Sequence, residues 1–193
     1  MLDFNGVTIG FAVTGSFCTF GDAFEQARNL TRFGAKLIPI MSENAFNINT
    51  RFGGAAARKQ ELEEICGAGI ITTIADAEPF GPKKMADVLL VCPCTGNTMA
   101  KLANSITDTP VTMAVKSHIR NNRPAVLCVA TNDALAGNAK NIGMLMNLRN
   151  YYFVPLRQDD SEKKPASVIS DFTKVPETVK YALKGKQIQP VIF

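Results

Sequence analysis

Three apolar runs, residues 7–13 (VTIGFAV), 88–92 (VLLVC, after Asp87) and 124–130 (PAVLCVA), break off into short polar turns. The turns are Thr14-Gly15-Ser16, Cys94-Thr95-Gly96 and Thr131-Asn132-Asp133. A strand with one wet face alternates apolar and polar residues. A strand that is apolar at nearly every position is covered on both faces, as in a parallel sheet clothed by helices. The segments between the runs supply those helices. Phe20, Ala23, Phe24, Ala27 and Leu30 recur at helical spacing until Gly34, and residues 35–41 (AKLIPIM) read as the next strand. Helices are predicted over 20–33, 55–65, 97–106, 110–118, 139–148 and 175–183. Residues 110–118 could pass for a strand, but Thr109 before Pro110 is a cap followed by proline at the first helical position. Val111, Ala114, Val115 and His118 also share a helical face. Short runs at 70–71 and 151–155 complete six strands.

The expected architecture is α/β, a doubly wound parallel sheet with strand order 3-2-1-4-5-6 and right-handed crossovers. A chain of 193 residues supports one such core and is short for two. Residues 1–155 form the expected domain, and 156–193 a polar loop, short helix and tail packed on it. Hydrophobic residues make up 46% and charged residues 20%, which argues against disorder along the body of the chain. No apolar run has the length of a membrane span, and the N-terminus lacks the basic region and cleavage site of a signal peptide, so a cytoplasmic protein without membrane partners is expected. Five cysteines, paired only in Cys92-Pro93-Cys94, suit neither a disulfide framework nor zinc, and no metal is expected.

The net charge of +4 is modest for a nucleic-acid binder. Residues 101–149 hold six Lys or Arg against Asp108 and Asp133, an excess that equals the charge of the whole chain. That pattern suits a small anionic substrate better than nucleic acid. Arginine can grip a carboxylate bidentately, which makes Arg51, Arg120 and Arg123 candidate substrate contacts, with Asn49 and Asn132 beside them; solvated charge or subunit salt bridges are the alternative. For acid–base work the candidates are His118, Asp108 and Asp133, provided that the fold brings them together. His118, on the apolar stripe of its helix, is equally a buried or interface residue.

In a doubly wound sheet, ligands bind beyond the carboxyl ends of the strands. The polar clusters at Thr14, Gly15 and Ser16, at 42–53, at Thr95, Gly96, Asn97 and Thr98, and at 131–133 would emerge there, although each alone reads equally as a turn or cap. The first lacks the G-x-G-x-x-G dinucleotide fingerprint, and a Thr-Gly-Ser turn before a helix suits the phosphate of a mononucleotide such as FMN better than NAD.

The order of these motifs, with Ser42, Lys101-Leu102-Ala103, Asp108 and Ala130-Thr131-Asn132, resembles the flavoprotein family of homo-oligomeric flavin-containing cysteine decarboxylases and flavin prenyltransferases. The resemblance spans about residues 5–155. It implies a Rossmann-like fold of flavoprotein type, a homo-oligomer, and FMN held by Thr14, Gly15, Ser16, Ser42, Thr95, Gly96, Asn97 and Thr98. The family's decarboxylases carry a histidine after the second strand. Here that region reads NAFNINTRFG, and the single histidine is His118.

A closer, nearly end-to-end resemblance is to a group within the family that works as bacterial two-component synthases. It is carried by GFAVTGSFCT, NTRFG, AEPFGPK, TGNTMAKLAN, IRNNRP, ATNDAL and VPLRQDDSEKKP. It implies a partner chain that binds NAD(P), and the conversion of a hydroxylated tetrahydropyridine dicarboxylate to an aromatic product during spore formation. The alternatives are an FMN-dependent decarboxylase and a flavin-free scaffold subunit.

Overall fold

The apolar runs fold as parallel strands whose side chains divide by parity between two cores. The computed structural model describes residues 2–193. In chain order the elements are β1 (Thr8–Val13), a 3-10 turn (Phe17–Thr19), α1 (Phe20–Arg32), β2 (Lys36–Met41), α2 (Glu43–Asn47), α3 (Ala55–Cys66) and α4 (Ile74–Ala77). Then follow β3 (Val88–Cys94), α5 (Gly96–Ala103), α6 (Pro110–Ile119), β4 (Ala125–Thr131), α7 (Ala139–Asn147), β5 (Tyr151–Phe153), β6 (Leu156–Asp160), β7 (Lys164–Ser170) and α8 (Val175–Ala182).

Ile9, Phe11 and Val13 pack with Leu90, Cys92 and Val126 under α1 and α8. Ala12, Leu89, Val91, Leu127 and Val129 point the other way, onto Met99, Leu102, Val111 and Val115 of α5 and α6. This two-sided burial leaves no room for polar alternation in the runs. The Thr109 cap forms as the sequence suggests, as a reciprocal box: its hydroxyl accepts from the Thr112 amide, and the Thr112 hydroxyl accepts from the Thr109 amide. No helix among the described residues is long and apolar enough to cross a membrane.

The fold is the flavoprotein-type α/β sheet, with seven strands in place of six. Its order is β2-β1-β3-β4-β7-β6, with β5 also on β4. The expected strand at 70–71 shrinks to one parallel bridge, Ile40 with Ile71, outside β2. Pro93, just beyond the apolar run 88–92, lies inside β3, where the register shifts between Val91 and Cys94. Proline gives up only its amide there; its carbonyl still accepts from the Thr14 amide at 3.3 Å and hydroxyl at 2.8 Å.

The larger difference lies beyond Pro155. Residues expected as a solvated loop form the antiparallel hairpin β6–β7. The edge of β4 is shared: residues 125–127 pair with β5, while Ala130 and Thr131 pair with Ile169 and Val168 of β7. The hairpin therefore reaches the carboxyl end of the sheet.

Candidate functional site

The turns after β1, β3 and β4 meet at that carboxyl end around a cleft of about 600 Å³, within the usual range for small-molecule sites. Thr14 ties the first two together. Its hydroxyl donates to the Pro93 carbonyl and accepts from the Thr95 amide at 3.0 Å. Thr14 is thereby buried and does not line the cleft; Gly15 and Ser16 do. Thr95 caps α5, its hydroxyl accepting from the Thr98 amide at 3.4 Å, and Gly96 and Asn97 face the cavity from that first turn.

Gly96 is required by what lies opposite. A Cβ built there would collide with the Asn138 side-chain amide and lie 2.6 Å from Thr131 Oγ1 and 2.8 Å from Asp133 Oδ1. These groups form one network: Asp133 accepts from the Thr131 hydroxyl at 2.5 Å and from the Asn138 amide at 2.8 Å. The Asp133 carboxylate is thus held in place at the cavity wall.

The hairpin closes another side with Asp159, Lys164, Ser167, Val168 and Ile169. Lys164 donates to Asp159 at 2.9 Å, which holds the Asp159 carboxyl below the usual carboxylate range and raises the lysine. Ser167 donates towards Asn132 Oδ1 and Asp159 Oδ2, both at 3.3 Å, linking the hairpin to the β4 turn. Arg51 stacks over Phe52 at 4.9 Å on the loop after α2, and both line the cleft. Arg51 and Lys164 are the two cationic residues of the lining, facing the two carboxylates Asp133 and Asp159.

Of the residues singled out in the sequence, the structure gathers Gly15, Ser16, Arg51, Thr95, Gly96, Asn97, Asn132 and Asp133 in the cleft. Three others serve local structure. Ser42 caps α2, Thr98 is buried in the first turn of α5, and Asn49 Oδ1 accepts from the Ala55 amide at 2.7 Å, at the start of α3.

The remaining candidates lie elsewhere, and each has a partner that explains it. Asp108 is an exposed carboxylate paired with Lys101 at 2.8 Å, which lowers its pKa. His118 is 0% exposed, its Nε2 donating to the Pro124 carbonyl at 3.1 Å; burial depresses its pKa from 6.5 to about 4. Arg120 faces Glu78 at 3.6 Å, and Arg123 reaches Asp87 and the Ala86 carbonyl. The charge excess of residues 101–149 therefore does not gather beside this cleft.

The sequence reading missed the hairpin residues and Arg58. Arg58 is 5% exposed, with its guanidinium 5.0 Å from the Phe17 ring and 5.2 Å from that of Phe20. One nitrogen donates to the Ile48 carbonyl at 2.5 Å, while Nε and Nη1 have no hydrogen-bond partner among the described residues. Burial lowers its pKa. The available signal was an arginine on an otherwise weakly amphipathic helix, too common to single out.

Sheet order, the position of the cleft and its Thr-Gly-Ser and Thr-Gly-Asn-Thr turns define a flavoprotein-type α/β protein, and the chain belongs to the Flavoprotein family, whose model matches residues 3–179. Within the family it is 44% identical to the B subunit of dipicolinate synthase of Bacillus subtilis, over 100% of this chain and 96% of that protein. The crystal structure of the corresponding dipicolinate synthase B subunit from Bacillus halodurans superposes with a TM-score of 0.91 at 39% identity, covering 99% of this chain and 98% of that one. The FMN-dependent cysteine decarboxylase SpaF shares the fold at a TM-score of 0.70 and 20% identity, covering 93% and 98%.

Proposed function

We propose that this chain works as the B subunit of a dipicolinate synthase. Together with a nicotinamide-binding A subunit, it takes part in converting a hydroxylated tetrahydrodipicolinate precursor into pyridine-2,6-dicarboxylate during spore formation. The observation that carries this reading is likeness to the Bacillus subtilis protein over essentially the full length of both chains. The reaction must remove water and two hydrogens. NAD(P) is assigned to the A subunit.

FMN is the cofactor suggested by the family, and the residues present suit it. Gly15 and Ser16 precede the 3-10 turn and α1, and Ser16 and Asn97 line the cleft with no side-chain hydrogen bond to any described residue. Gly15, Ser16, Thr95, Gly96 and Asn97 would hold it, and when bound FMN supplies two-electron redox chemistry. For the substrate, Arg51 is the carboxylate contact, with Asn132 beside it. Asp133, the one candidate acid–base residue in the cleft, is oriented by Thr131 and Asn138 to move a proton at its carboxylate. The absence of histidine from the lining argues against the decarboxylase alternative.

Met144 and Met146 are exposed on α7, which supports the homo-oligomer reading; a monomeric sedimentation mass would count against it. The deciding assay mixes the chain with its A partner, the precursor and NAD(P)+, with and without FMN, and follows pyridine dicarboxylate. More product than the A partner makes alone is expected, and no advantage would overturn the assignment. Flavin absorbance on the purified chain separates a flavoprotein from a flavin-free scaffold.

A further inference from the structure

A second cleft of about 530 Å³ opens among the C-terminal end of α5, one face of α6 and the loop between α7 and β5. Asn122 and Asn150 in its lining come just before β4 and β5, so it lies toward the opposite edge of the sheet from the first cleft. Its charged lining residues are Lys116, Arg120 and Arg149, with no acid among them. Arg120 faces Glu78 at 3.6 Å, with both side chains about half exposed, a weak contact. Lys116 and Arg149 form no ion pair with any described residue. Of the six cations in residues 101–149, Lys101 and Arg123 are each paired with an aspartate, Lys140 lies on α7 outside this lining, and Lys116, Arg120 and Arg149 line the cleft.

Beneath the cations the lining is apolar: Leu102, Ile106, Ile119 and Leu148, with Tyr151. Ile106 and Leu148 remain 46% and 47% exposed. Burial drives the Tyr151 hydroxyl up to about 12, so it stays a neutral hydrogen-bond donor. The backbone adds a second mark. Ser105, Asn122 and Asn150 all line the cleft with φ of 58°, 56° and 68°, and they are three of the four non-glycine residues with positive φ among the described residues. Each follows the end of a helix, α5, α6 or α7, where a left-handed residue turns the chain away, so three helix ends converge on the cleft.

We propose that this cleft binds a small aromatic carboxylate, with Lys116 and Arg149 taking the acidic groups and the apolar floor taking the ring. Inorganic phosphate would leave the floor wet, and a purely apolar ligand would leave the cations without a counter-charge. The inference does not depend on the proposed function, although the product suggested there falls in this chemical class and would then act as a ligand away from the first cleft.

The test is calorimetric titration of the full chain, without an A partner and in metal-free buffer, with benzene-1,3-dicarboxylate and with pyridine-2,6-dicarboxylate. Binding is expected to weaken with added salt and to fall by about tenfold or more in the double variant Lys116→Ala, Arg149→Ala. It should survive in Lys116→Arg, Arg149→Lys, and the loss caused by Lys116→Ala, Arg149→Ala should recur in an Arg51→Ala, Asp133→Asn background, in which the first cleft is silent. Because Lys116 and Arg149 are exposed, the variants should melt like the parent, which separates lost binding from lost folding. Full binding by the alanine variant would overturn the proposal, as would a signal abolished by Arg51→Ala, Asp133→Asn while Lys116 and Arg149 are intact. Equal binding of inorganic phosphate would reduce the cleft to a non-selective anion patch. Selective binding of an acidic peptide in place of the aromatic probes would reassign it to a protein partner.

Discussion

Gly96 stands so close to Asp133 that a methyl group at position 96 would lie 2.8 Å from the carboxylate oxygen and strike the Asn138 amide that holds it. Gly96→Ala should therefore destabilise the fold by about 1–3 kcal/mol in urea denaturation, because the hydrogen-bonded Thr131, Asp133 and buried Asn138 side chains must move. It should also weaken flavin binding in a fluorescence titration. Gly143, inside α7 with nothing within 4 Å of a built Cβ, is the control: Gly143→Ala should stabilise by about 0.5–1 kcal/mol. A Gly96→Ala protein as stable as the parent would show that Asp133 is free to turn away.

His118 should make stability depend on pH. Its folded pKa is about 4, against an ordinary value of 6.5, because the charged ring would lose its hydration in the core. The neutral form is favoured in the fold, so this contribution is complete above pH 6.5. It is lost progressively as the pH falls toward 4, where the unfolded chain binds the proton more readily. The span is up to about 3 kcal/mol. His118→Gln should flatten this part of the profile when unfolding is measured between pH 7.5 and 4.5. An unchanged slope would exclude His118 as the source.

Strands buried on both faces announce themselves in sequence, and the runs at β1, β3 and β4 could hardly be read otherwise. The same logic hid β6 and β7. Arg157, Gln158 and Asp159 are exposed, so the burial that makes a strand visible is missing there. The hairpin is set instead by pairing with the free half of the β4 edge, a tertiary relation that no local pattern encodes. The site was legible where it comes from strand-end turns, as with Ser16, Asn97 and Asp133. It was illegible where function depends on which charges meet. Lys101 and Asp108, or Arg123 and Asp87, neutralise each other only once folded.

Thr109 offers a direct test of the α6 assignment. Its side chain and that of Thr112 exchange hydrogen bonds with each other's backbone amides at 3.1 Å. Thr109→Ala should cost about 1 kcal/mol, and Thr109→Ser much less, in urea denaturation. Equal losses for the two would mean that the hydroxyl is not the group that matters.

Lys164 and Asp159 pair at the mouth of the first cleft, and the pairing sets opposite expectations for the two residues. Lys164 is 55% exposed, so water screens the ion pair and neither substitution should shift unfolding appreciably. Ligand binding should respond differently. If a dicarboxylate enters beside Arg51, Lys164→Ala removes one of the two cations available to it and should weaken binding by about tenfold, the effect of one charge-assisted hydrogen bond. Asp159→Asn removes the ligand's internal competitor for Lys164, so affinity should hold or rise. Titration of both variants with pyridine-2,6-dicarboxylate, in the Lys116→Ala, Arg149→Ala background so that the second cleft is silent, gives the answer. Weaker binding in both variants would mean that the pair acts as a unit to hold the hairpin closed. No effect in either would place the dicarboxylate away from the hairpin.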